Sequence, residues 1–308
     1  MEKKQSIAVV TGSSSGIGFE TSLLLARNGF YTYATMRDTL KSEKIEKIAN
    51  KENLPLEVLS MYLNNDDSVR NAIHKIIDEK KKIDILVNNA GYGLFGALED
   101  ISIADIKQQF ETNLFGAIRT IKEVLPTMRK QKNGIIINIT SIAGVVGIPA
   151  ECIYVSTKFA LEGLSESISY ELQPYGIKVI LVEPGVINTN FVSSIKFSDK
   201  TDDKSQHTLR KQEKSEINYS GNNIKKKNSS YYSNTIDTFL SHYYPAMKNA
   251  PLPKEVATVI LEAIKNSSKS SEYLFRYIVG GDAKTFAQAK KNMSDSELYK
   301  FISNKLLR

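Results

Sequence analysis

A β-branched run that breaks into glycines and resumes at once as helix limits what this chain can fold into more than any other feature. Ile7 to Val10 has the composition of a short strand, Thr11-Gly12 interrupts it, and Phe19, Leu23, Leu24 and Ala26 recur at helical spacing until Asn28-Gly29. The turn between them reads TGSSSGIG, with glycines at 12, 16 and 18. Glycine lets a backbone approach a phosphate closely. The N-terminus of the helix that follows offers unbonded N–H groups and the positive end of its dipole. A glycine cluster alone is weak evidence for a nucleotide, but between a first strand and a helix it becomes strong.

The alternation continues to the end of the chain. Phe30 to Ala34 reads as a second strand, followed by VLSMYL (58–63), a helix from Asp66 to Lys80, IDILV (83–87), NNAG (88–91) and one long helix from Ile103 to Arg129. Ile135 to Ile139 is wholly apolar, as a parallel strand covered on both faces should be. A helix through Tyr154 that ends near Tyr175-Gly176, the strand KVILVEPG (178–185), helical patterns at 236–243 and 256–264, and YLFRYIV (273–279) complete the series. Strands alternating with helices imply an α/β chain, a single doubly wound Rossmann domain over residues 1–308 with a mainly parallel sheet of about seven strands. In that fold the residues just past the second strand meet the adenosine ribose of a dinucleotide. Met36 is neutral at the usual discriminating position and Arg37 can pair with a phosphate, which points to NADP(H) over NAD(H); the competing reading has Arg37 merely exposed and Asp38 selecting the ribose.

The chemistry concentrates in SIAGVVGIPAECIYVSTK, residues 141–158. Tyr154 and Lys158, four apart on a helix, rise from one face, so a phenol stands beside an ammonium. A phenol of ordinary pKa about 10 is a poor base, and about 4 kcal/mol of preference for the phenolate would bring it near 7. Lys158 is expected to supply that preference, and Ser141, at the end of IIINITS, to offer its hydroxyl to the same substrate oxygen. The spacing by itself carries nothing, because Tyr244 and Lys248 repeat it; that pair has Tyr231, not a strand-terminal Ser, thirteen residues upstream and reads as coincidence.

Composition narrows the rest. The chain has 308 residues, 41% hydrophobic and 24% charged, which suits a soluble protein with a large core. A single cysteine, Cys152, excludes an intramolecular disulfide, fits a reducing compartment and reads as a small residue near a site. MEKKQSIAVVTG runs straight into the glycine turn, so neither a signal peptide nor a membrane span is expected, and a cytoplasmic location follows. The formal charge is +7, but residues 196–230 carry nine Lys and Arg against five Asp and Glu. The positive charge is therefore local, and no nucleic-acid partner is expected. No metal site is read either. Residues 196–235 are polar, without sustained apolar periodicity, and are expected to be a mobile insertion in a substrate lid, open to trypsin near Lys204, Arg210 and Lys225 to Lys227.

Taken together, TGSSSGIG (11–18), NNAG (88–91), Asn113 in TNLFG, Ser141, Tyr154 with Lys158, and PGVINT (184–189) resemble the short-chain dehydrogenase/reductase family over nearly the whole chain. YATMRD (33–38), STKFALEGL (156–164) and FRYIVGGDA (275–283) are similar to the subgroup of estradiol 17β-dehydrogenase type 1 and the retinol dehydrogenases. The resemblance implies an oxidoreductase in which Tyr154 is acid and base, Lys158 lowers its pKa and bonds the nicotinamide ribose, Ser141 polarises the carbonyl, and Asn113 holds a proton-relaying water. It implies a cofactor held by Gly12, Ser14, Ser15, Gly16, Ile17, Gly18, Arg37, Asn89, Ala90, Gly91, Tyr154, Lys158, Pro184, Gly185, Val186 and Thr189. It also implies a homodimer or homotetramer packed through the helices of Asn113 and Tyr154. YGLFGAL (92–98) and GVVGIP (144–149) add an apolar steroid-, retinoid- or lipid-like substrate. The chain departs from the family at Tyr62, where an adenine-binding Asp is usual, and in the polar segment over the lid. The other function considered is a nucleotide-sensing protein without turnover, against which the intact Ser141, Tyr154 and Lys158 argue.

Overall fold

Seven strands, all parallel, form the central layer of this computed structural model, which describes residues 5–189, 191, 195–197, 230–267 and 275–308. They are β1 (Ile7–Thr11), β2 (Tyr31–Met36), β3 (Leu56–Ser60), β4 (Ile85–Asn88), β6 (Gly134–Ile139), β7 (Ile177–Pro184) and β9 (Arg276–Val279), in the order β3-β2-β1-β4-β6-β7-β9. Every residue of β1, β4 and β6 is buried, the burial that their unbroken apolar runs require between two helical layers. On one face Val69, Ile73 and Ile76 of α3 (Asp66–Lys80) pack with Val124 and Met128 of α5 (Gly116–Gln131) against Val9, Leu86 and Ile136. On the other, Leu25 of α1 (Gly16–Arg27) and Val256, Ile260 and Ile264 of α8 (Pro253–Ser267) cover Ala8, Val87, Ile137 and Ile180. Alternate residues of each strand thus feed opposite cores.

The winding reverses at β1, which pairs with β2 on one side and β4 on the other. In such sheets the crevice beyond the carboxyl ends of the strands at that reversal is where ligands bind. The turn after β1, the loops after β4 and β6, and the Pro184 turn after β7 all open there.

Three sequence expectations change. The long helix over 103–129 is two α-helices, α4 (Ile103–Phe110) and α5, joined by a π-helical turn at Glu111–Phe115 that contains Asn113. β3 ends at Ser60, so Met61, Tyr62 and Leu63 belong to the loop and line the crevice. The polar stretch 196–235 is not uniform: Lys196–Phe197 forms a short strand, β8, parallel to Leu94–Phe95 (β5), and helix α7 (Ser233–Lys248) already starts inside it. Residues 198–229, with the trypsin sites expected at Lys204, Arg210 and Lys225 to Lys227, lie outside the described residues. Helix α6 (Cys152–Leu172) carries Tyr154 and Lys158. Two C-terminal helices, α9 (Gly281–Asn292) and α10 (Asp295–Leu306), close the chain. Among the described residues, no helix is long and apolar enough to cross a membrane.

Candidate active site

A cleft of about 1450 Å³ runs along the carboxyl ends of the strands. Of the residues expected to bind a cofactor or act in catalysis, all but Gly18 and Asn113 line it.

One end of the cleft is the glycine turn, tied from behind. The Asn89 carboxamide donates to the carbonyl oxygens of Thr11 (2.8 Å) and Gly12 (3.2 Å), and the Thr11 hydroxyl accepts from the backbone N–H of Asn89 (2.9 Å) and Ala90 (3.0 Å). Asn89, which the resemblance places among the cofactor-holding residues, thereby latches the end of β1 to the end of β4. Gly12 sits at φ +70°, and a Cβ there would stand 2.8 Å from the Cα of Ala90. A Cβ on Gly18 would come within 2.4 Å of the Asn89 amide nitrogen. Gly18 therefore serves the packing behind the turn and does not face the cleft. The side chain of Ser15, at the N-cap of α1, makes no capping bond, which leaves the first-turn N–H groups facing the cleft.

At the ribose position the structure separates three candidates. Met36 is 3% exposed and packs with Phe19, Leu23, Ala34 and Ile45, so its neutrality is mainly a requirement of the core. The Asp38 carboxylate accepts from the backbone N–H of Leu40 at 3.1 Å and lies 4.0 Å from Lys41, occupied in capping its own turn. Arg37 is exposed, lines the cleft and makes no hydrogen bond or ion pair among the described residues. Lys41, which the sequence reading passed over, lines the same wall. Tyr62 stands on this wall too, its ring exposed at the place of the usual acidic residue.

Elsewhere in the cleft, Ser141 and Tyr154 meet. Ser141 is fixed by accepting from the Ala143 N–H (3.1 Å) and by its contact with the Pro184 carbonyl (3.4 Å). Burial pushes the Tyr154 phenol well above its ordinary pKa, Glu151 pushes it further, and a hydrogen bond with Ser141 pulls it down. Lys158 gives its hydrogen bond to the backbone and not to that phenol. Its ammonium is buried, donates to the Ile139 carbonyl at 2.8 Å and stands 5.6 Å from the centre of the Tyr154 ring. Burial brings its own pKa down to about 8, opposed by Glu162. Glu162 and Glu183, both buried, share Arg276, whose Nε is 3.2 Å from each carboxylate; burial raises both acids, Glu183 to about 7.

Asn113 is buried below the cleft and does not line it. Its carboxamide accepts from the Tyr92 N–H (3.1 Å) and donates to the Tyr92 carbonyl (2.9 Å) and Thr157 hydroxyl (3.3 Å). The side chain is committed to the loop after β4 and to α6. A π turn at such a position is frequent near functional sites, because it re-aims one residue within a continuous helix.

Asp282 and Glu151, both in the cleft, were not singled out from the sequence. Asp282 accepts from the Val186 N–H at 2.7 Å and pins the turn that carries Pro184, Gly185 and Thr189; the GGDA string contains it but gives no hint of its partner. Glu151, 6% exposed, lines the cleft near Tyr154. Cys152 is partly buried, and burial raises its thiol pKa. This runs against a nucleophilic role. The far wall is apolar and aromatic, with Phe191 tilted against Tyr154 at 6.0 Å between ring centres, and Phe239 and Tyr243 from α7.

The sequence pattern of the family described as short chain dehydrogenase matches residues 6–200. The 3-ketodihydrosphingosine reductase of Bacteroides thetaiotaomicron is 43% identical over 195 residues, 63% of this chain and 69% of that protein. The Homo sapiens retinol dehydrogenase 8 is 40% identical over 187 residues, 59% of each. Among solved structures, a short chain dehydrogenase/reductase from Burkholderia phymatum in complex with NAD superposes with a TM-score of 0.75 at 20% identity, covering 97% of this chain and 96% of that one. A metagenomic short-chain oxidoreductase in complex with NADP gives 0.64 at 22% identity, covering 89% and 96%. The matched residues take in the glycine turn, the latch of Asn89, and Ser141, Tyr154 and Lys158: the chain belongs to the short chain dehydrogenase family, a family of oxidoreductases.

Proposed function

We propose that this protein is an NADP(H)-dependent reductase of a ketone or aldehyde on an apolar substrate, able to run in reverse as an alcohol dehydrogenase. The observation that carries this reading is the meeting of Tyr154 and Ser141 at the floor of a cleft whose other end is a preformed glycine cradle. The residues present fit a dinucleotide. Gly12 leaves the backbone open where a Cβ would intrude, the N-terminus of α1 faces the cleft, and Arg37 offers an unpaired guanidinium beside Lys41 for a 2′-phosphate. The dinucleotide would supply the hydride chemistry.

The rest falls to the protein. Ser141 donates to the substrate oxygen and fixes the carbonyl against the phenol. Tyr154, kept protonated by burial, gives its proton to that oxygen as the alcohol forms. Lys158 holds a positive charge below the phenol through the Ile139 carbonyl and draws toward the phenolate once Tyr154 has given up its proton. Asn113 acts by position, holding Tyr92 and Thr157 on either side of the floor. The aromatic wall accounts for an apolar substrate, a reading with which the names of the two relatives agree. Phe115, Phe159 and Tyr170 stand exposed on the helices of Asn113 and Tyr154, which supports a homo-oligomer packed there and can be checked by light scattering.

A screen of NADPH oxidation against ketones, steroids and retinoids tests the reading, with Tyr154→Phe as control. Turnover that survives in the control, or NADH used in preference throughout, would count against the mechanism or the cofactor respectively.

A further inference from the structure

Lys158 is a buried cation whose hydrogen bond goes to a neutral group, the Ile139 carbonyl 2.8 Å away. A charge so placed has lost its hydration and needs an opposite charge nearby to persist. On the cleft side it faces the Tyr154 ring at 5.6 Å, with Glu151 acting on that phenol. One turn further along α6 stands Glu162, 6% exposed and on the same helix face. Glu162 is not part of the cleft lining; it lies behind it. Gly144, in the helical turn that follows Ser141, makes the room: a Cβ there would lie 3.0 Å from the Glu162 Cγ and 3.1 Å from the Lys158 carbonyl oxygen. Thr140, the residue before Ser141, hydrogen-bonds to the Glu162 side chain. Pairing with Arg276 does not by itself account for this acid. Arg276, on β9, has one nitrogen 2.8 Å from Glu166 of α6 and another 3.2 Å from both Glu162 and Glu183 of β7. Three carboxylates around one guanidinium leave the group short of positive charge. Lys158 supplies a second cation, since Lys158 and Glu162 each favour the charged form of the other.

Resting on the reductase reading, we propose that Glu162 is a positioning residue of the reaction, supplying from behind the cleft the negative charge that keeps the Lys158 side chain an ammonium. Its action is indirect. Burial draws Lys158 down to about 8, and Glu162 opposes that shift. Without the carboxylate, the amine would lose its proton near neutral pH and leave the phenolate that Tyr154 becomes without its cation. Burial raises the Glu162 acid as well, and Thr140, Arg276 and Lys158 hold it down, so the two groups charge as a coupled pair. Charge then alternates from β9 to the cleft: Arg276 secures the anion, and the anion secures the ammonium that meets the phenolate.

NMR of carbon-13 at the lysine Cε, observed on the full chain, reads the Lys158 titration directly, with Lys158→Arg marking its resonance. Glu162→Gln should lower the midpoint by about one pH unit or more, the effect of removing a neighbouring opposite charge. Glu183→Gln takes a buried acid from the same Arg276 but leaves Glu162 in place, and should move the midpoint by less than half as much. An unchanged midpoint in Glu162→Gln overturns the proposal, as does an equal shift in Glu183→Gln. Should Glu162→Gln not fold, the wild type decides. With the glutamate carboxyls labelled and Glu162→Asp marking that resonance, the Lys158 signal must shift in step with protonation of Glu162, and a flat signal there overturns the proposal. Turnover with NADPH is the second readout. In Glu162→Gln the alkaline limb of kcat should move down with the midpoint, so that the rate falls roughly fivefold at pH 8 and stays near wild type at pH 6. Glu162→Asp, which keeps the charge, should restore the limb. A loss equal at both pH values would mean a structural role only and overturns the assignment. If the wild type reduces no carbonyl compound in the substrate screen, the reductase reading fails, while the NMR comparison still decides whether Glu162 sustains the ammonium.

Discussion

The Lys158 ammonium stands 5.6 Å from the centre of the Tyr154 ring and gives its hydrogen bond to the carbonyl of Ile139, 2.8 Å away, not to the phenol. The two residues that helical spacing brings to one face thus meet as a cation over a ring, with a phenol that burial keeps protonated. Tyr154→Phe should retain the fold and NADPH affinity and lower turnover by roughly 10²–10⁴, the usual contribution of a positioned acid or base. Tyr244→Phe, outside the cleft despite its identical spacing to Lys248, should change turnover little. Steady-state kinetics of the two variants, side by side with a cofactor titration, make the comparison.

Arg37 is the better place to test cofactor choice. A carboxylate at Met36 would fall among Phe19, Leu23 and Ile45 and damage the core before it reported on a phosphate. Arg37→Ala should weaken NADPH by about 10–100-fold, as expected for losing one charge-assisted pair, and leave NADH within a few-fold. Fluorescence titration decides it; equal losses for both cofactors would mean that Arg37 does not meet the 2′-phosphate.

Stability should depend on pH through Glu151. Its folded pKa of about 8 is above the unfolded carboxylate value, so between roughly pH 4.5 and 8 the folded chain keeps a proton that the unfolded chain has released. Stability contributed by this group is full below that window and falls as pH rises through it. Glu151→Gln should therefore stabilise the cofactor-free protein by up to ~3 kcal/mol at pH 7 and hardly at all at pH 4.5. Urea melts at the two pH values give the measurement; equal shifts at both would rule out a titrating Glu151.

Arg276 should show the opposite pH trend. It is the cation shared by buried Glu162 and Glu183, and Arg276→Gln strands both. With Arg276 itself partly exposed, the expected loss is about 2–3 kcal/mol above pH 7. The loss should shrink toward pH 5 as the stranded acids take up protons. A loss independent of pH would point to packing of the guanidinium stem instead.

The fold was legible because each parallel strand is a block of apolar residues and each connection carries helical periodicity; the number of strands in the main sheet follows from that alone. Ser141, Tyr154 and Lys158 were legible as a set, since strand end and helix turn fix their relative placement. What hydrogen bonding decides was not. Nothing in NNAG reveals that Asn89 reaches back to Gly12, nothing in TNLF that the helix widens to a π turn, and nothing in GGDA that Asp282 holds Val186. Met36 looked like a selector because sequence gives position along a strand and hides which face carries the core. Glu151 escaped notice because burial, not residue type, makes it unusual. The hydrogen-bond partner of Lys158 was hidden for a similar reason: four residues of helix set a direction, and the Ile139 carbonyl comes from another element.

The latch of Asn89 has a consequence in time. Because its carboxamide already joins the carbonyls of Thr11 and Gly12 across the ends of β1 and β4, the turn proposed to receive the pyrophosphate takes its shape in folding itself. Dinucleotide capture should then be a single encounter-limited phase, with no slow rearrangement before it, and losing the Asn89 amide should introduce a lag as the loosened turn searches for its shape.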